Sequence, residues 1–484
     1  MTQSHQSVEP HTLTVEKIGG TSMSDYPAVR DNIMLYRPEH RYGRVFVVSA
    51  YGGITDLLLE HKKTGDPGVY ELFAHNDSDW AWGDALSRVC QVMCEHNAQL
   101  FAETPLQADD FIRERVEGVR NCLIDLHRLC SYGHFRLDEH LRTVRELLAS
   151  LGEAHSAYNL TQLLRLEGVN ARFVDLTGWR DDRSLTLLER LEDAFATVDP
   201  LTELPIVTGY ALCQEGLMQT FDRGYSEITF STLACYLQAS EAIIHKEYHL
   251  SSADPKVVGA DKVVPIGRTN YDVADQLSNL GMEAIHPRAA RGMRQQGIPL
   301  RIMNTFEPEH KGTLITADYV SVTPRVEMIA GHAQLLAIQI FDQDMVGHRG
   351  LYESRLQELI ERFRLRIMAR DSNANTLTIY AACSLKVAKR FADQFCERFP
   401  SAQIDSKKVA MVAAVGSDLE VTGLLAQTTQ ALATEAIEIL AMHQGMRQVD
   451  IQVIVPNDRF NDAVRALHAQ LVEPHEHGSA IALA

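Results

Sequence analysis

At 484 residues, with 45% apolar and 23% charged residues, the chain has ordinary globular composition and room for roughly two to four domains. A formal net charge of −18 argues against a nucleic-acid partner, which needs a basic surface to neutralise phosphates. The acidity fits solubility or adaptation to a salty cytoplasm, and composition does not separate the two.

The stretch MTQSHQSVEPH is polar and lacks the apolar core of a signal peptide, and no run approaches the roughly 18 apolar residues that span a bilayer. Eight cysteines without framework spacing suggest reduced thiols and a cytoplasmic protein without a membrane partner. Cys90 and Cys94 sit one helical turn apart beside His96, but no second ligand pair follows at zinc-site spacing, so structural thiols are the reading there.

From Thr12 to Gly65 the pattern reads strand, helix, strand, helix. Leu13, Val15 and Lys17 alternate with polar residues, Asp25 and Pro27 mark a helix start, and RVFVVSA (Arg44 to Ala50) is the apolar run of a doubly covered parallel strand. Roughly 71–151 carries helical spacing with almost no strand signal and reads as a helical insertion. The α/β rhythm resumes at ARFVDL (171–176), PIVTGYA (205–211), EAIIHKE (241–247) and IPLRIMN (298–304), which predicts an α/β layered domain with a mostly parallel sheet. After about Thr316 the order becomes βαββα written twice, the pattern of two ferredoxin-like α+β modules. The expected spans are 12–318, 326–406 and 407–484.

Chemistry concentrates at glycine-bearing turns. VEKIGGTS (Val15 to Ser22) leaves the first strand, spends two glycines and enters a helix, at the strand end where open α/β sheets bind ligands. Glycines let successive amides face an anion, the helix start adds positive potential, and Lys17 is placed to neutralise a phosphoryl group. The turn is not the Walker pattern, since GxxxxGK[ST] occurs nowhere. SAYGGITDLLLEHKK repeats the arrangement with Ser49, Gly52, Gly53 and Thr55. Glu153, in SLGEAHSAYNLTQLL, falls at a predicted helix start, where a carboxylate can be a cap or a ligand. In MQTFDRGYSEITF, Arg223, Gly224, Ser226 and Glu227 precede a helix, and an arginine fork grips carboxylates in two places. Asp254, Pro255 and Lys256 form a further turn.

These stretches together resemble aspartokinase: Lys-x-Gly-Gly-Thr-Ser at 17–22, Ser-Ala-x-x-Gly-Ile-Thr at 49–55, Gly-Glu-x-x-Ser-Ala at 152–157 and Arg-Gly-x-Ser-Glu at 223–227, followed by Asp-Pro-Lys at 254–256, Ile-His-Pro at 285–287 and Gly-Thr-Leu-Ile at 312–315. The likeness runs in order along essentially the whole chain and is nearest to the branch associated with ectoine biosynthesis. It implies an amino-acid-kinase-type mostly parallel sheet sandwiched by helices, followed by two ACT modules. It also implies phosphorylation of the L-aspartate β-carboxylate by ATP with Mg2+ in a homo-oligomer paired through those modules. By the resemblance Lys17, Gly19, Gly20, Thr21, Ser251, Asp254 and Lys256 would contact nucleotide, and Ser49, Thr55, Glu153, Arg223 and Ser226 would hold aspartate. Lys17 and Glu227 would be catalytic. Met345, Gly350, Leu351, Asp371 and Ser372 would line an amino-acid effector site, although plain turns explain those loops equally well.

The chain departs from the family pattern where Ile244 to His249 (IHKEYH) replace Trp-Thr-Asp-Val-Asp-Gly, Ser251 a tyrosine, Lys256 an arginine and Glu283 a lysine. His245 and His249 lie about 13 Å apart along a strand, too far to share a metal ion. Two other classes stay open: a kinase of another acid on the same fold, and a catalytically weak amino-acid sensor.

Overall fold

The computed structural model describes residues 13–37, 40–61, 64–75, 79–102, 106–218, 224–282 and 284–475. They form two compact units. One takes the described residues up to His249 together with His286–Thr316; the other takes Leu250–Ile285 and the chain from Ala317 onward.

In the first unit the strands are β1 (Thr14–Ile18), β2 (Arg44–Val48), β3 (Ala171–Val174), β4 (Leu204–Thr208) and β5 (Glu241–Lys246). After the short strand β6 (Arg268–Asn270), which belongs to the other unit, come β7 (Leu300–Asn304) and β8 (Thr313–Thr316). Their order is β3-β4-β2-β1-β5-β7-β8, parallel except for the β7/β8 pair. Val45, Phe46, Val47 and Val48 are all fully buried, as a strand covered on both faces requires. Lys17 pairs with Val47 on one side and Ile244 on the other, so the lysine reaches the carboxyl ends of the three central strands.

The expected helical insertion comprises helices Val69–His75, Asp79–Phe101, Leu106–Ser131 and Leu137–Leu166. The last corrects the reading of Glu153 as a helix start: the residue lies in the middle of a 30-residue helix. Gly152 does not break that helix. A Cβ there would stand 2.8 Å from the Ala50 methyl, so the glycine lets the helix press against the turn after β2.

The second unit writes βαββα twice. The first copy is β9 (Met328–Phe341), helix Arg349–Arg362, β10 (Arg366–Ser372), β11 (Thr376–Ala382) and helix Leu385–Cys396. The second is β12 (Gln403–Val415), helix Leu424–Thr434, β13 (Ala441–Gln444), β14 (Asp450–Pro456) and helix Phe460–Leu471. All six strands share one sheet, β10-β11-β9-β12-β14-β13, with antiparallel neighbours. β13 is short because the preceding helix closes through Ala436, at φ 50°, with Ile437 N donating to Leu432 O. Leu250–Ile285 joins this unit because Ile266, Val273, Leu277 and Leu280 share a core with Met328, Ile329 and Leu467.

Candidate active site

Four strand ends of the first unit converge on one cleft. β1 delivers Lys17, whose Nζ lies 3.7 Å from Glu227 Oε1 in the first turn of helix Tyr225–Tyr236. Glu227 Oε2 accepts from the backbone amide of His286 at 2.7 Å. Burial opposes charge on Glu227, but Lys17 first, then Lys246 at the end of β5 and the His286 amide, outweigh it and hold the carboxyl below its ordinary range.

Glu153 is treated differently by its surroundings. It is almost fully buried, and burial pushes its carboxyl up to about 8 despite Lys17, the amides of Tyr210 and Ala50 and the Tyr225 hydroxyl. Its Oε2 is buried without a hydrogen-bond partner. Gly209, directly after β4, keeps that oxygen approachable, since a Cβ there would sit 3.0 Å from it. The Ser49 and Ser226 hydroxyls lie 3.4 Å apart beside this group, and Ser156 Oγ donates to the Ser49 carbonyl at 2.9 Å. Thr55 is half-buried in helix Ile54–Leu58, which starts from Gly53 at φ 82°.

The paired glycines divide their work in a way the sequence did not show. Gly19 does not present a bare amide, because its N–H donates to the His245 carbonyl on β5 at 3.2 Å. Gly20 is required for close approach: a Cβ would meet the Ala50 carbonyl oxygen at 2.7 Å. The donors left for an anion are the first-turn amides of helix Gly20–Met23, those of Gly20, exposed Thr21 and Ser22, which helix geometry leaves without intrahelical acceptors. The second turn is likewise tied down, with Gly52 N donating to Ser24 Oγ at 2.8 Å.

Beneath Lys17 a buried ionic group fixes the strand tips. Arg44 grips Glu16 through two bonds of 2.6 and 2.9 Å, and His245 Nε2 donates to the same carboxylate at 2.8 Å. Burial would raise the Glu16 carboxyl, yet Arg44 and His245 hold it far below the ordinary range. His245 is therefore a structural partner, while His249 pairs with Glu307 at 3.0 Å.

Other expected positions fall elsewhere. Arg223 lies outside the described residues. Ser251, Asp254 and Lys256 belong to the second unit, where Asp254 caps helix Pro255–Val258 by accepting from the exposed Lys256's amide at 2.8 Å and Ser251 bridges to Pro265. Of the effector set, Gly350 and Leu351 are exposed, Asp371 accepts from the Tyr380 hydroxyl at 2.7 Å, and the Ser372 hydroxyl meets the Arg349 guanidinium. Met345 departs from the expected exposed loop: it is fully buried in the core of the first module, against residues such as Ile340 and Phe391. Sequence reasoning missed Gly209, Tyr210, Tyr225 and Lys246. The one local signal was a glycine directly after the apolar run PIVT.

A buried lysine near two carboxyl groups, paired hydroxyls and a helix start thus stand together at the carboxyl ends of parallel strands, where open α/β sheets bind their ligands. The chain belongs to the amino acid kinase family, which it matches over residues 12–304, and it matches an ACT domain over 405–469. It is 54% identical over 475 residues to aspartate kinase Ask_Ect of Stutzerimonas stutzeri (strain A1501), covering 97% of this chain and 100% of that protein, which places it among the aspartate kinases. Aspartokinase 2, chloroplastic, of Arabidopsis thaliana is 24% identical, over 95% of this chain and 84% of that protein. The fold matches E. coli aspartokinase III in complex with aspartate and ADP at a TM-score of 0.72 and 20% identity, over 95% of this chain and 100% of that one.

Proposed function

We infer that this chain phosphorylates the β-carboxylate of L-aspartate with ATP, giving 4-phospho-L-aspartate. The observation that carries the reading is Glu153 Oε2, a buried acceptor without a partner, in a cleft shared with a lysine. An orphaned buried acceptor costs about 1 to 3 kcal/mol, and a substrate ammonium group relieves that cost. Arg223 is assigned to the α-carboxylate by motif resemblance.

The reacting β-carboxylate is already a nucleophile, so no strong base is required. One of its oxygens bonds to the γ-phosphorus as the bond to the β–γ bridging oxygen breaks, and ADP leaves. The protein supplies position and charge: Lys17 and the first-turn amides after β1 face the phosphates, and Ser49 and Ser226 face the acceptor. A Mg2+ ion carried by the nucleotide would supply charge neutralisation at the phosphates. Such ions keep several waters and take one or two carboxylates plus phosphate oxygens, a role for which Glu227 is suited.

Hydroxamate trapping with aspartate, glutamate and acetylglutamate, each with MgATP, tests the reading. Turnover confined to aspartate supports it; turnover with another acid, or none alongside tight amino-acid binding, overturns it.

We also place the product in the ectoine branch, supported by whole-length likeness to Ask_Ect. Homo-oligomerisation through the C-terminal modules is supported by β10 and β13, the edge strands of the six-stranded sheet, since a sheet edge is a template for pairing with another chain. A cytoplasmic location is supported by eight unpaired cysteines and, among the described residues, by the lack of a helix long and apolar enough to cross a membrane.

A further inference from the structure

The phosphate turn after β1 is tied to both neighbouring strand ends. Gly19 donates to the His245 carbonyl at 3.2 Å, and the next residue, half-buried Lys246, closes β5. The Lys246 carbonyl accepts from Thr305 N at 2.8 Å. The Thr305 hydroxyl in turn donates to the Ser22 hydroxyl at 3.0 Å, inside the first turn of helix Gly20–Met23. Two hydrogen bonds thus lead from the backbone of Lys246 to the helix start whose amides face an anion.

Register decides where the Lys246 side chain goes. Lys17 pairs with Ile244, and paired residues on parallel strands stand on one face of the sheet. Side chains alternate along a strand, so Lys246 shares that face with Lys17 and lies about 6.6 Å farther toward the carboxyl edge. Glu16 and His245 occupy the opposite face, 2.8 Å apart. Glu227 answers to both lysines: against the burial that would raise its carboxyl, Lys17 first and Lys246 second hold it down. The sheet order β4-β2-β1-β5 then sets a sequence across the cleft. Gly209, beside Glu153, follows β4, and Ser49 follows β2. Lys17 stands on β1 and Lys246 on β5, on the far side of Lys17 from the groups assigned to aspartate.

We propose that Lys246 is a further catalytic residue, its ammonium group hydrogen-bonded to the diphosphate that leaves, while Lys17 serves the phosphoryl group that moves. This rests on the kinase reading above. As the bond to the bridging oxygen breaks, its electron pair stays on the β-phosphate of ADP, and that is the charge Lys246 neutralises. Lys246 stays protonated throughout. A lysine here is this chain's own: the aspartokinase pattern has aspartate at the position, so the charge is reversed.

Calorimetry with ADP and AMP, together with steady-state turnover of MgATP and aspartate, decides it on the full chain carrying Lys246→Met or Lys246→Arg. Methionine keeps the apolar stem and removes the charge, whereas arginine keeps the charge. Lys246→Met is expected to weaken ADP by about tenfold or more, the size of a lost charge-assisted bond, and to lower kcat at least as far. AMP lacks the β-phosphate, so both variants should bind it nearly as wild type does, and KM for aspartate should hold. Lys246→Arg should recover most of the ADP affinity and of kcat. A partly unfolded variant lowers the bound fraction for both nucleotides without changing the ratio of their Kd values, so that ratio is the deciding quantity. ADP affinity and kcat left near wild type by Lys246→Met overturn the proposal. Equal losses for ADP and AMP, or equal losses in the two variants, overturn it too, since the lysine would then shape the pocket without meeting phosphate. A wild type that fails to turn over aspartate overturns the kinase reading instead, while the ratio of ADP to AMP still reports on the phosphate contact.

Discussion

Lys17 Nζ and Glu227 Oε1 stand 3.7 Å apart, both largely withdrawn from solvent, with Glu153 close enough for its titration to respond to the same lysine. The lysine is thus held in place by the Glu227 carboxylate before any phosphate arrives. Removing it takes one electrostatic donor from the transferring group. Lys17→Ala is expected to lower kcat by about 10² to 10³, as loss of one such donor typically does. Steady-state measurement of ADP release checks this, and near-normal turnover rules out the role.

If Glu227 acts mainly by holding Lys17, the two side chains work as one device and their losses do not add. Glu227→Gln should slow turnover substantially, and the double variant with Lys17→Ala should be little slower than Lys17→Ala alone. Fully additive losses would mean that Glu227 acts independently of the lysine.

Glu153 makes aspartate binding depend on pH. Its free carboxyl titrates at about 8, so below that pH the group is mostly neutral, and a substrate ammonium prefers the charged form. The substrate's carboxylates stay charged across this window, so kcat/KM for aspartate should rise about tenfold per pH unit toward 8 and then level. Glu153→Gln should flatten that rise and weaken aspartate strongly. Stability runs the other way. A folded pKa above the unfolded value of 4.5 gives a contribution that is complete below pH 4.5 and lost as pH rises through 8. The wild-type Tm, measured without substrate, should therefore fall toward pH 8 relative to Glu153→Gln. A pH-independent difference between the two proteins would remove burial of Glu153 as its cause.

How far the sequence disclosed this site depends on the range of the interaction. The Lys17 turn was legible because alternation, paired glycines and a helix start are local signals. That Gly19 spends its amide on His245 was not, because the partner lies on another strand and register is a tertiary property. Glu153 was identified as a ligand by motif but misplaced at a helix start, because a glycine at 152 looks like a breaker until Ala50 is seen pressing on it. Tyr210 and Tyr225, which tune Glu153, carry no local mark of that duty. The doubled βαββα order was plain from alternation, whereas the pairing of Leu250–Ile285 with those modules depends on core contacts between distant segments.

The two glycine turns make one last contrast. A methyl at position 20 would stand 2.7 Å from the Ala50 carbonyl oxygen, closer than real side chains sit, and the obstacle is backbone that cannot swing aside. Ala50 follows Ser49 and donates its amide to Glu153, so displacing it disturbs the aspartate side as well as the phosphate turn. Gly20→Ala should therefore destabilise by about 1 to 3 kcal/mol, the usual cost of overpacking, and raise KM for both ATP and aspartate. Gly53 differs: its φ is 82°, but nothing lies within 4 Å of an added Cβ. Gly53→Ala should cost about 1 kcal/mol through backbone strain alone, leaving both KM values nearly unchanged. Thermal unfolding and paired KM measurements separate the two cases. If Gly20→Ala moved stability but neither KM, contact between the two turns would be packing without a share in catalysis.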